Sequence, residues 1–296
     1  MRIVSLVPHA TELLFALGLG DDVVGVTHEC DFPAEAAERQ PVTRNVLADG
    51  LSPAAIDRAV RERTERGESI YALDEEIVRE LEPDIIVTQA LCHVCAVSVD
   101  EVQALAQTLP GPPRVISLDP QTYGETLGDV RTIAQATDSR DAALDLIART
   151  ARRADVVRLA VRDATRPRVA ALEWLDPVFV AGHWTPQLIE MAGGEDVVGF
   201  PGEPSREVTW EEVAAAQPEV VVVMPCGYDA ARALVEAEEF ASRLRALGAE
   251  QVVAVNASAY FSRPGPRLVD GLELLAHILH PDRAPQAPAE ALAVEL

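Results

Sequence analysis

The chain has 296 residues, enough for two compact domains with a hydrophobic core each. Hydrophobic residues make up 48% and charged residues 25%, an ordinary globular balance. The formal net charge is −23 and every basic residue is arginine, a composition of the kind GC-rich coding produces. With no lysine, a lysine Schiff base and a P-loop lysine are excluded. So acidic a surface repels phosphate backbones and anionic lipid headgroups, so nucleic acid is not expected as a partner.

The first six residues, MRIVSL, enter a strand at once, with no basic leader, apolar h-region or small-residue cleavage site. As written, the chain is expected to be cytoplasmic; removal of a leader would make it extracytoplasmic. No run of about 18 apolar residues occurs, so the chain is not expected to be membrane-embedded.

Strand-like apolar runs fall at 2–7, 23–27, 84–89, 114–118, 168–173, 219–224 and 251–255, and most lead through a polar or Gly/Pro turn into a helical pattern. This alternation predicts parallel βαβ units, an α/β fold. Three echoes divide the chain. Residues 12–18 (ELLFALG) and 20–25 (GDDVVG) return as 187–193 (QLIEMAG) and 194–199 (GEDVVG), predicting twice a short helix, a glycine stop and a strand opening on Val-Val-Gly. Residues 74–89 match 209–224 without a gap, each an N-cap, a helix running to a proline, and a buried strand. Residues 114–120 (RVISLDP) pair with 251–257 (QVVAVNA).

Between the halves, 123–166 carries apolar residues at helical spacing and no strand pattern. The reading is two Rossmann-like lobes with parallel sheets joined by a long helical connector: 1–121, a connector over 122–166, 167–280, and a loose Pro/Ala/Glu-rich tail over 281–296.

Ligands of parallel α/β sheets collect beyond the carboxyl ends of the strands. The turns expected there hold Pro8 and His9; His28, Glu29, Cys30, Asp31 and Phe32; Cys92, His93 and Cys95; Trp174; His183 and Trp184; Cys226; and Tyr260 with Arg263. In the second echo Cys226 aligns with Leu91, next to Cys92, so equivalent turns carry cysteines. Three readings of Cys30, Cys92, Cys95 and Cys226 stand side by side: reduced thiols lining a pocket, a thiolate site for zinc or an iron–sulfur cluster, and a redox pair at Cys92-x-x-Cys95. His9, His28 and His183 are loop hydrogen-bonders or ligand contacts. Trp174 and Trp184 are expected as ligand platforms, and Trp210 as packing. Arg263 and Arg267 bind an anionic group or sit at the start of the last helix. No Ser-His-Asp elbow, Walker loop, HExxH or GxGxxG occurs, so no enzyme activity is expected.

Residues 3–18 (IVSLVPHATELLFALG), followed by 23–27 (VVGVT) and the Cys30-Asp31-Phe32-Pro33 turn, strongly resemble the start of the vitamin B12-binding proteins of bacterial uptake transporters. More broadly the chain is similar to the class III periplasmic-binding-protein group, which carries siderophores, haem and cobalamin. That resemblance implies two Rossmann-like lobes joined by a long helix. It further implies a corrinoid or other metal chelate, cobalamin above all, held in a shallow cleft between the lobes by aromatic and polar loop residues. An ABC permease is the implied partner. Pro8, the Asp31-Phe32-Pro33 turn, and the Trp174 and Trp184 turns correspond to cleft-lining loops. The sequence departs from the family at Phe32, where a tyrosine is usual, and in its four loop cysteines. From the cysteines comes the alternative expectation, a metal- or cluster-bearing protein with an enzyme among its forms.

Overall fold

The computed structural model describes residues 1–48, 50–90, 97–284 and 291–295. It divides into two units, one of Met1–Pro120 with Gly128–Leu146 and one of Gln121–Leu127 with Ile147–Leu296.

In the first unit β1 (Ile3–Ser5) leads into α1 (Pro8–Ala16), then β2 (Val23–Val26), β3 (Gln40–Pro41) and β4 (Thr43–Asn45). Helix α2 (Pro53–Glu65), β5 (Tyr71–Leu73), α3 (Glu75–Glu80), β6 (Ile85–Thr88), α4 (Val99–Thr108) and β7 (Arg114–Ser117) follow. The sheet order is β3-β2-β1-β6-β7, every neighbouring pair parallel, while β4 and β5 form a separate antiparallel ribbon. Strands β1 and β6 are buried along their whole length, as strands covered on both faces must be.

Helices α5 (Tyr123–Thr137) and α6 (Arg140–Val161) come next, and the boundary between the units falls within both.

The second unit contains β8 (Arg168–Leu175), β9 (Val178–Val180), α7 (Thr185–Met191), β10 (Glu195–Asp196), β11 (Arg206–Glu207), α8 (Trp210–Ala215) and β12 (Val220–Val223). It continues with α9 (Ala230–Glu239), α10 (Ala241–Ala246), β13 (Gln251–Val255), α11 (Ala257–Tyr260), α12 (Leu268–Leu279) and β14 (Ala291–Ala293). The parallel core runs β10-β8-β12-β13, the order β2-β1-β6-β7 of the first unit repeated. Antiparallel β9 pairs with the later part of β8, where β10 no longer reaches, and β11 pairs with β9.

The two units share chemistry as well as topology. Arg2 opens β1, its guanidinium Nε donating to the Leu81 carbonyl at the end of α3 (2.6 Å) and its backbone N–H to Asp84 Oδ2 (2.7 Å). Arg168 opens β8, donating to the Ala216 carbonyl at the end of α8 (2.7 Å), with its backbone N–H on Glu219 Oε2 (2.7 Å). In both places an arginine satisfies a carbonyl that the helix end leaves orphaned. The residues before the matching prolines, Glu82 and Gln217, share a left-handed backbone (φ 41° and 48°). Asp74 caps α3 through the Ile77 N–H, and Thr209 closes a reciprocal capping box with Glu212 on α8. A generic βα pattern does not demand this residue-by-residue agreement; an internal repeat does.

Two expectations are corrected. The second Val-Val-Gly is a turn rather than a strand opening. The ladder with β8 ends at Glu195–Asp196, and the Asp196 carboxylate then accepts the N–H groups of Val198 (3.0 Å) and Gly199 (2.6 Å), bending the chain away. Gly199 is required there, since a Cβ would lie 2.5 Å from the Ala181 carbonyl oxygen. The tail is also not loose over its whole length. Ala291–Ala293 pairs antiparallel with β13, and Val294 is buried, because an open edge strand offers unpaired N–H and C=O groups to any alternating segment that reaches it.

Candidate functional site

In the first unit the loops after β1 and β2 meet the β4–β5 ribbon. Leu6, Pro8, Thr27, Glu29, Thr43, Tyr71 and Val97 line a small, open hollow at the carboxyl ends of the parallel strands. Pro8 lines it from the first turn of α1, where a missing N–H costs nothing. His9, expected in the same turn, instead belongs to the helix and is buried.

His28 stands exposed beside the hollow. Its Nδ1 lies 2.8 Å from Thr43 Oγ1, the same hydroxyl accepts its backbone N–H (3.2 Å), and its ring leans on Tyr71 at 5.1 Å between centroids. Partial burial holds its pKa below the ordinary imidazole value, against the opposing pull of Glu29. Glu29 Oε1 accepts the Tyr71 hydroxyl hydrogen bond (2.7 Å). Cys30 turns inward, 5% exposed, its Sγ 3.0 Å from Thr11 Oγ1, which in turn donates to Ser5 Oγ. Asp31 and Phe32 face solvent, Phe32 at 44% exposure ahead of a cis Phe32–Pro33 bond. After β7, Asp119 accepts from the Ala90 N–H and the Ser117 hydroxyl. Cys92, His93 and Cys95 lie outside the described residues.

In the second unit, half-buried Trp174 sits near the carboxyl end of β8, its indole N–H on the Asp176 carbonyl (3.1 Å) and its ring edge-on to Tyr228 at 5.6 Å. Tyr228 leads from β12 to α9. The Arg232 guanidinium lies 3.6 Å from the centre of its ring, and Glu236, one turn further along, is 4% exposed with neither carboxylate oxygen hydrogen-bonded among the described residues. Burial first, then Glu239 and Asp176, push the Glu236 carboxyl up to about 7, with Arg232 opposing. Cys226 is exposed on the same loop.

His183 holds a left-handed backbone (φ 53°), its N–H on the Glu203 carbonyl (2.6 Å), and burial lowers its pKa. Trp184 is 5% exposed with its indole N–H on the Phe261 carbonyl (2.7 Å), a packed residue rather than an open platform. Trp210 stacks on Phe240, as expected of packing. Tyr260 and Arg263 are half-buried, with Arg267 5.8 Å from the Tyr260 ring. Arg267 occupies the N-cap of α12 and makes no side-chain cap bond.

Among the described residues, no three His, Cys, Asp or Glu side chains come together to hold a metal ion. No described helix is long and apolar enough to cross a membrane. Sequence reasoning passed over Tyr71 and Thr43, which come from an antiparallel ribbon rather than from a parallel strand's exit. The one available signal was that aromatics are scarce, at 4%.

The first unit is thus an α/β domain whose carboxyl-end loops expose His28, Glu29 and Phe32, while the loops of the second hold Trp174 and His183 half-buried, groups of the kind that line small-molecule sites. The chain belongs to the periplasmic binding protein family, whose model matches residues 3–259, and to its class III group; these are substrate-binding proteins, not enzymes. The vitamin B12-binding protein of Vibrio cholerae serotype O1 (strain ATCC 39541 / Classical Ogawa 395 / O395) is 24% identical over 288 residues, spanning 92% of this chain and 86% of that protein. Among solved structures, the periplasmic heme-binding protein RhuT from Roseiflexus sp. RS-1 in apo form has a TM-score of 0.65 at 24% identity, covering 95% and 98% of the two chains. An ABC transporter substrate-binding protein from Listeria monocytogenes EGD-e reaches 0.71 at 17% identity, covering 95% and 99%.

Proposed function

We propose that this protein binds a metal tetrapyrrole, a cobalamin-type corrinoid first, at loops on the carboxyl ends of its parallel strands, and hands it to an ABC permease. The observation that carries the reading is the hollow lined by Pro8, Thr27, Glu29 and Tyr71, with exposed Phe32 on the same loop as Glu29. Its apolar walls with a few oriented polar groups are the lining that small-molecule sites share. The amino-terminal motif that resembles the B12-binding proteins builds part of this hollow, since Leu6 and Pro8 belong to it. The relatives named for vitamin B12 and for heme support the ligand class, because both are macrocycles around a metal.

Titration of the purified protein with aquacobalamin and, separately, ferric haem tests the proposal by calorimetry and visible absorption. One ligand per chain at micromolar or tighter affinity is expected. Absence of heat and of spectral change with both at high micromolar concentration overturns it.

A further inference from the structure

Glu29 is the one acidic side chain among the described residues that line the hollow, and none of them is basic. Two bonds fix where its carboxylate stands. Its backbone N–H donates to the hydroxyl oxygen of buried Thr27 (2.9 Å), which pins the loop. Its Oε1 accepts the Tyr71 hydroxyl (2.7 Å) from 42 residues along the chain, and Tyr71 is placed by pairing with Asn45 in the β4–β5 ribbon. The roles in this second bond are set by chemistry, because a carboxylate only accepts and the phenol hydroxyl beside it donates. A carboxylate has about four acceptor positions, so the Tyr71 bond leaves capacity for a ligand's donors. Leu6, Pro8 and Val97 supply apolar wall beside it. The hollow is small, so what enters it is a side group at the edge of a ligand rather than a ring.

We propose that Glu29, held by Tyr71, selects ligands whose rim carries amide N–H groups over ligands whose rim carries carboxylates. Metal tetrapyrroles divide along this line: a cobalamin-type corrinoid is edged with neutral amides, and haem with the carboxylates of its propionates. An amide N–H gives the Glu29 carboxylate a charge-assisted hydrogen bond, about twice as strong as a neutral one. A ligand carboxylate at the same place has no proton to give. It also meets a like charge, on a chain whose net charge is already −23. The hollow is therefore the seat of one amide arm of the ligand, and the discrimination lies at the rim of the ligand rather than at its metal.

This inference rests on the tetrapyrrole reading, and its test separates the two. The probes are dicyanocobinamide, edged with amides, and dicyanocobyrinic acid, the same ring and metal edged with carboxylates. Cyanide fills both axial positions in each, so contacts to the metal do not enter the comparison. Equilibrium dialysis at pH 8 and low salt gives the ratio of the two affinities. Wild type is expected to bind dicyanocobinamide at least about tenfold more tightly, and added salt to narrow the gap. Glu29→Gln keeps the shape and loses the charge, and the ratio is expected to fall toward one. Glu76→Gln removes an exposed acid on α3, outside the lining, and is expected to leave the ratio unchanged. Unchanged circular dichroism in both variants keeps folding out of the comparison. Equal binding of the two probes by the wild type, a ratio that survives Glu29→Gln, or a ratio that falls equally with Glu76→Gln overturns the role of Glu29 and leaves the tetrapyrrole reading intact. So does failure of dicyanocobinamide to bind where aquacobalamin or ferric haem binds. Binding of none of these compounds overturns both.

Discussion

Glu236 makes this protein less stable as the solution becomes alkaline, and one substitution should remove that dependence. The carboxyl is 4% exposed, under Arg232 and beside Tyr228, with Glu239 and Asp176 adding negative charge. Its pKa stands at about 7 in place of 4.5. That difference favours the protonated folded form by about 3 kcal/mol. The sign follows from proton counting. Between 4.5 and 7 the folded chain holds a proton that the unfolded chain has lost, so stability falls as pH rises. The benefit is fully present below pH 4.5 and gone above 7. Between pH 5 and pH 8 this group alone removes roughly 2–3 kcal/mol. Urea unfolding of wild type and Glu236→Gln at both pH values measures the difference, since glutamine keeps the shape and cannot ionise. The variant should lose that much less stability on going to pH 8. If both proteins lose stability equally, Glu236 does not titrate as its burial requires, and the reasoning fails.

Other outcomes follow from the same structure. Leu172, fully buried in β8, should cost 2–5 kcal/mol on replacement by alanine, read as a lower urea midpoint with an unchanged slope. Gly182→Ala places a Cβ 2.4 Å from the Glu203 carbonyl oxygen and 2.5 Å from the Ser205 nitrogen, so backbone must move, and a loss of about 1–3 kcal/mol is expected by thermal melting. Thr209→Ala removes half of the capping box on α8 and should cost about 1 kcal/mol in the same assay. Gln217→Gly relieves a left-handed backbone (φ 48°) and should raise stability by about 0.5 kcal/mol, the relief outweighing the extra freedom of the unfolded chain.

Strand positions were legible because a parallel strand buried on both faces is apolar along nearly its whole length, as Val220–Val223 and residues 85–87 are. The repeat was legible for a related reason: the helix stop before each matching proline and the acid after it serve the same backbone groups in both units, so their residue types recur. The hollow's place at the carboxyl ends of β1 and β2 also follows from parallel connectivity, which the alternation of elements already implied. What tertiary structure decided is which way each side chain in those turns points. His9 and His28 read alike as residues following strands, yet the helix starts at Pro8 and draws His9 into its buried face, while Thr43 holds His28 in the open. Cys30 and Phe32 are two apart, and one packs on Thr11 while the other meets solvent. Spacing along a chain encodes backbone periodicity, but hydrogen bonds between residues distant in sequence set side-chain direction, and those partners exist only once the chain has folded.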